Sequence, residues 1–202
     1  MEFSHPPLPE IKNTFKDVGE LAAFLDAHSI AHSEWNGQKT LTDLLGELSS
    51  GESKLVVDKN GELRRHTAVA WVEVISINKQ GQRVRLREVR QVFKDGKGTR
   101  TRTNLPASLG EKIYVYGSKR EAPSAGAERA LAEELGISQD TDKIQFEKFT
   151  TREMEASSYP GLLTVYTDYF FTTEVPYKEE GYVELQESKT TYFEWELIEE
   201  TS

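Results

Sequence analysis

Residues 129 to 137 read Arg129-Ala130-Leu131-Ala132-Glu133-Glu134-Leu135-Gly136-Ile137. Leu131 and Leu135 are four apart and leave one side of an α-helix as core contacts. A glycine at 136 suits the left-handed residue that closes many helices. Each helical residue advances about 100°, so position 130 shares a face with Glu134, and Glu133 lies beside it. Three carboxylates so placed could hold a hard divalent cation, because Mg²⁺ takes oxygen ligands and keeps several waters. Here position 130 is alanine, so the face keeps two. Glu128 does not stand in, being two residues and about 200° around the helix. Ser124 offers a hydroxyl cap, and the helix is expected over residues 124–135.

Outward from this helix the pattern is mostly strand. Upstream, Lys54 to Val57, the turn Asp58-Lys59-Asn60-Gly61 and the run Leu63 to Ile77 predict a hairpin, since Asn-Gly supplies the positive φ values of a tight turn. Both faces of Val69 to Ile77 are largely apolar, as in a central strand covered on each side. A second hairpin is expected from Arg83–Phe93 and Thr99–Thr103 around Asp95-Gly96-Lys97-Gly98, followed by a short strand over Ile113–Tyr116. Downstream, strands are expected at Ile144–Phe149, Gly161–Thr173 and Thr190–Ile198. Two helices precede everything else: one from a cap at Asp17 to about His28, and one over Leu41–Leu48 capped by Thr40. The division that follows is a Pro-rich tail and small N-terminal helical appendage over residues 1–50, then one domain over 51–202. The element order is that of an α+β or α/β/α fold with a mixed sheet.

The segment 115–137 resembles the Nudix box. Glu121, Arg129, Leu131, Glu133, Glu134, Gly136 and Ile137 stand in its register, while Val115 occupies the place of its first glycine and Ala130 that of the first glutamate of its helix. Gly117, two residues after Val115, could serve in a loop of altered length. The resemblance extends from about Leu63 to Ile198 and implies a Nudix-like α/β/α sandwich. It also implies metal-dependent attack of water on a diphosphate linked to a second moiety, with Mg²⁺ (or Mn²⁺) held by Glu133 and Glu134 as catalytic and metal-binding residues. Glu121, Arg129 and Gly136 would be the structural part of the box, Arg129 pairing with Glu121 to fix the loop on the helix. With alanine at 130, a base would have to come from elsewhere, as in some Nudix enzymes: Glu153 or Glu155 in a polar connection after the box, or Glu179, Glu180 or Glu184 before the last strand. Two functions follow, a Nudix-type hydrolase with an impaired box, or an inactive Nudix-fold module that binds a nucleotide, polyphosphate or protein partner.

Composition narrows the field further. The 202 residues carry 37% hydrophobic and 29% charged side chains, as befits a folded globular chain. No cysteine occurs, which excludes disulfides, thiolate zinc sites and cysteine nucleophiles. The net charge of -9 argues against nucleic acid as a partner. No stretch has the length and apolarity of a membrane span or secretory signal, and the default location is the cytoplasm. One stretch departs from this balance: between Lys79 and Arg102 nine basic residues face two acids, Glu88 and Asp95. Arg100 and Arg102, alternating with threonines, leave one face of a strand and are candidates to bind substrate phosphate, although a charged edge strand needs no ligand to explain it. His28 and His32 have helical metal-ligand spacing but lack a completing carboxylate. Among the aromatics of the C-terminal half, Tyr159 and Trp195 are the candidates to stack a nucleobase. The expected ligand is a phosphorylated small molecule. A protein partner or homodimer is open, and the N-terminal helices could act as lid, dimerisation element or docking segment.

Overall fold

The computed structural model describes residues 14–35, 39–58, 60–94, 96, 98–101, 105–116, 120–138 and 143–199. The fold is α+β, with three α-helices and a nine-stranded open, mixed sheet among these residues. The helices are α1 (Val18–Ala27), α2 (Leu41–Ser50) and α3 (Pro123–Leu135). The strands are β1 (Ser53–Val57), β2 (Leu63–Ile77), β3 (Arg83–Phe93), β4 (Thr99–Arg100), β5 (Leu109–Lys112), β6 (Gln145–Glu155), β7 (Leu163–Glu174), β8 (Tyr182–Leu185) and β9 (Lys189–Leu197). Their order is β6-β7-β2-β3-β9-β8, with β1 and β5 also on β2 and β4 on β3. None of the described helices is long and apolar enough to cross a membrane.

Four expectations need correction. The strand placed at Ile113–Tyr116 lies earlier, at Leu109–Lys112. Ile113 is instead a fully buried anchor whose N–H donates to the carbonyl of Ala68 at 3.1 Å. Strand β6 continues six residues past Phe149, so Glu153 and Glu155 lie on a strand and not in a connection. Strand β8 was not foreseen, and α3 is not capped by Ser124. Its N-cap is Ala122, without a side-chain bond, followed by Pro123, whose fixed φ and missing N–H suit a first helical turn. Of the return strand placed at Thr99–Thr103, Thr99 and Arg100 form β4, Thr101 is outside it, and the remainder lies outside the described residues.

The chain divides into two compact units, one of residues up to Ala68 with Lys112–Glu121 and Thr150–Thr167, the other of Val69–Glu111, Ala122–Phe149 and Asp168 onward. In the first, both helices begin where local chemistry says they should. The Asp17 carboxylate accepts the N–H of Glu20 at 2.9 Å, and Thr40 and Asp43 form a reciprocal capping box. Leu21, Leu25, Leu44 and Leu48 then pack with Trp35, Leu55, Leu63, Tyr159 and Leu162 in one core. The β1–β2 hairpin runs from Ser53 opposite Thr67 to Val57 opposite Leu63, its turn held by Asp58, whose carboxylate accepts the N–H groups of Asn60 and Glu62.

In the second unit Ala70, Val72 and Val74 of β2 are buried, while Trp71 and Glu73 on the alternate face are half-buried. Strand β3 pairs antiparallel with β9 from Val84 opposite Leu197 to Phe93 opposite Lys189, with an irregularity between Glu88 and Arg90. Strand β8 lies on β9 from Tyr182 opposite Phe193 to Leu185 opposite Thr190. Helix α3 buries Gly126, Ala127, Ala130, Leu131 and Leu135.

Candidate functional site

Helix α3 ends as its sequence requires. Gly136 is left-handed at φ 65°, its N–H donates to Ala132, and the N–H of Ile137 reaches back to Leu131. The apolar side of the helix is thereby fixed, and Glu133 and Glu134 are left at its C-terminal end. Both line a cleft wholly within the second unit, with Glu88, Glu111 and Glu184, the neutral Gln91, Ser108 and Gln186, the ring of Trp71, and Leu105, Gly110 and Lys189. Among the described residues, five glutamates and one lysine therefore line the cleft.

The origin of each acid is traceable. Val84, Leu86 and Glu88 share the buried face of β3, so the carboxylate of Glu88 is carried inward by apolar alternation. Glu184 is buried on β8 and accepts from the amide of Gln186 at 2.5 Å. Glu111, on β5, pairs with Arg129 of the box helix at 2.6 Å. The Glu121 carboxylate closes its own loop, accepting the N–H of Tyr114 at 2.9 Å while the Glu121 N–H donates to the Tyr114 carbonyl at 2.7 Å.

Crowding has an electrostatic consequence at Glu134. Burial raises its carboxyl pKa, and the neighbouring charges of Glu184, Glu111 and Glu88 add to this against the opposing pull of Lys189, pushing it up to about 8. Among the described residues no three His, Cys, Asp or Glu side chains already stand close enough to hold a metal ion. The donor set is nevertheless all carboxylate oxygen, the chemistry that a hard cation takes.

No family model and no curated protein matches this chain. Solved structures similar to it include a MutT/nudix family protein from Enterococcus faecalis, at 12% identity and TM-score 0.43 over 84% of this chain and 56% of that one. It is also similar to the NUDIX domain of Shewanella oneidensis NrtR complexed with ADP ribose, at 13% identity and TM-score 0.38 over 63% and 70%. For the T. brucei MERS1 protein in its apo form the values are 16% and 0.38 over 60% of this chain, which spans 44% of that one.

The remaining candidates are placed elsewhere. Glu153 pairs with Arg64 at 3.3 Å, Glu155 accepts the N–H of Gly161 at 2.5 Å, and Glu179 pairs with Lys79. Arg100 is exposed on β4 and outside the cleft lining, and Arg102 lies outside the described residues. Much of the basic stretch is neutralised locally, Arg85 by Glu196 at 2.6 Å and Arg87 by Glu73 at 2.8 Å. His28 packs at a tilt against Phe24, and His32 meets Asp26 at 3.0 Å. Tyr159 is buried against Trp35, and the Trp195 indole donates to the Lys178 carbonyl at 2.6 Å, so neither ring enters the cleft. Glu88, Glu111 and Trp71 were missed by sequence reasoning. Only Glu88 left a signal there, a lone acid in the period-two apolar run of β3.

Proposed function

We propose that the acidic cleft is a Nudix-type site that hydrolyses a nucleotide-linked or related diphosphate with Mg²⁺ (or Mn²⁺). The observation that carries this reading is Glu134 itself, half-buried on a helix end with three further carboxylates acting on it. Like charges gathered in this way destabilise the protein unless a cation or a proton relieves them. Glu133 and Glu134 would hold the ion, with Glu88, Glu111 and Glu184 around them. A bound Mg²⁺ would neutralise the diphosphate oxygens and favour deprotonation of an attacking water.

Within this reading the chain's own residues have separate tasks. Arg129 holds Glu111 in the cleft wall. Among the described residues that line the cleft, Lys189 is the positive side chain that could meet a phosphate oxygen. The base lost at position 130 is replaced by Glu184, which is the one candidate outside the box that lines the cleft. Ala130 is fully buried, so a glutamate there would be forced into the helix packing and would not restore the base.

The buried alanine also favours a second reading, an inactive Nudix-fold module that binds a phosphorylated ligand or a protein without turnover. One assay separates the two: incubation with a panel of nucleoside diphosphate derivatives and Mg²⁺ or Mn²⁺, beside Glu134→Gln and Glu184→Gln. Metal-dependent product release by the wild type, lost in both variants, is expected. The hydrolase reading is overturned if the wild type releases no product or if Glu134→Gln releases as much.

A further inference from the structure

The strand order leaves β6 at one end of the sheet, with β7 as its one neighbour among the described residues. An edge strand presents a row of backbone N–H and C=O groups that can accept another strand, and proteins blunt such edges by keeping them short or by placing proline or charge there. Strand β8, at the other end, has four residues. Strand β6 has eleven, Gln145–Glu155, all of them exposed and none a proline or glycine. Its apolar side chains include Phe146 at 38% and Phe149 at 51% exposure. The Phe149 ring lies 6.1 Å from that of Tyr169 on β7, so an aromatic pair stands at the edge.

Charge is the protection that remains, and it does not block every register. When two copies of a strand pair antiparallel about a two-fold axis normal to the sheet, each side chain keeps its face. Opposed residues are therefore an even number apart, and the axis passes through one residue. Axes at Lys148, Phe149, Thr150, Thr151 and Arg152 would pair seven, nine, eleven, nine and seven residues of β6. An axis at Lys148 or Arg152 sets that cation against itself. At Thr150, Glu147 meets Glu153 and Lys148 meets Arg152, and at Thr151, Glu147 meets Glu155. Like charges directly opposite destabilise a sheet. At Phe149 none are opposed: Gln145 falls opposite Glu153, Phe146 opposite Arg152, Glu147 opposite Thr151, Lys148 opposite Thr150, and Phe149 opposite itself.

We infer that β6 is a homodimerisation edge, at which two copies of this chain join antiparallel through residues 145–153 with the two-fold axis at Phe149. Joined in this way, the Phe149 rings of the two copies cover each other, and Tyr169 extends the aromatic row on either side. The guanidinium of Arg152 comes opposite the Phe146 ring of the other copy, a cation–π pair made twice. Each edge satisfies the backbone groups of the other, so the contact is closed and does not propagate. Nothing in it depends on the acidic cleft or on the hydrolase reading.

The test is the mass of the full chain by light scattering over protein concentrations of about 1 µM to 1 mM, with thermal unfolding as a check on each variant. Twice the monomer mass is expected at the upper end. Phe149→Glu and Phe149→Lys each set like charges on the axis at an exposed position, and each should raise the dissociation constant about tenfold or more. Mixed together, the two variants should associate again, because their charges are then opposite. The chain has no cysteine, so single cysteines report the register. Phe149→Cys should oxidise to a disulfide-linked dimer, since directly opposed residues lie within disulfide reach. Glu147→Cys and Thr151→Cys should not do so alone, because each sulfur is then four residues, about 13 Å, from its copy. A mixture of the two should cross-link. A monomer at every concentration overturns the proposal and gives the β6 edge to another occupant. A dimer indifferent to both charged variants overturns it too, by placing the interface elsewhere, and Glu147→Cys cross-linking alone as readily as Phe149→Cys overturns the register.

Discussion

Arg65 sets two guanidinium nitrogens on one carboxylate oxygen of Glu47, at 2.6 and 3.1 Å, and both side chains are about 4% exposed. Ser53 and the phenol of Tyr159 also donate to this carboxylate, Lys112 reaches it at 2.5 Å, and Lys39 is on the same oxygen as Lys112. Helix α2 is thus tied by one residue to β1, to β2, to Lys112 and to Tyr159. Burial opposes ionisation of Glu47, but the surrounding cations prevail and hold its carboxyl well below the usual range.

Removing that carboxylate takes a partner from three cations, of which Arg65 is buried and Lys112 keeps Glu52 at 3.3 Å. Glu47→Ala is expected to lower unfolding free energy by about 3–5 kcal/mol, the cost of breaking a buried charge network from one side. Urea unfolding should show the loss as a lower midpoint. A loss under about 1 kcal/mol, as for an exposed pair, would mean that the network is hydrated and does not secure α2.

Gly136 makes a milder prediction. Its φ is 65° and a Cβ there would meet nothing within 4 Å, so an alanine costs backbone conformation alone. Gly136→Ala should destabilise by about 1–2 kcal/mol, and Gly136→Asn by less, because asparagine tolerates the left-handed region. If Gly136→Ala is neutral, the helix end does not depend on this residue.

What could be read in advance was what short-range chemistry decides. Asp17, Thr40 and Asn60-Gly61 act on neighbours within four residues, and the helices and hairpin beside them appear where those residues put them. The second half of strand β6, past Phe149, escaped the same reading, and all eleven residues of the strand are exposed, so no buried face marks its length. Strand β8 is only four residues long. The cleft was half legible for a similar reason. Glu133 and Glu134 share a helix, but Glu88, Glu111 and Glu184 reach them from three strands far apart in sequence, and only tertiary pairing brings them there. Ala130 could be seen as a missing ligand. Its complete burial could not.

His66 should contribute to the acid side of stability. Burial first, then the charges of Lys54 and Arg64, push its pKa down to about 4 from 6.5. Between those values the unfolded chain takes up a proton that the folded chain refuses, so stability falls as pH drops from 6.5 toward 4. For a half-exposed ring the loss is on the order of 1–2 kcal/mol after screening. His66→Gln should flatten this limb by that amount in urea titrations at pH 7 and 4.5, and an unchanged difference would assign the limb to other groups.

Glu134 governs the alkaline side with the opposite sign. Its carboxyl is raised from 4.5 to about 8, so in the metal-free protein the folded state keeps a proton that the unfolded state has lost, and stability declines as pH rises from 4.5 through 8. Glu134→Gln removes that decline and should raise the Tm at pH 8.5 relative to wild type while leaving it unchanged at pH 4, where the carboxyl is protonated in both states. Mg²⁺ then separates electrostatic crowding from a metal site. A cation bound at Glu134 favours the ionised, folded protein, and at 100 times its dissociation constant it contributes about 2.7 kcal/mol. Millimolar MgCl2 at pH 8.5 should therefore raise the wild-type Tm and leave Glu134→Gln unmoved, with an equal ionic strength of KCl as the control. If KCl does as well as MgCl2, the carboxylates are relieved by general screening, and the metal-dependent reading of the cleft loses its thermodynamic support.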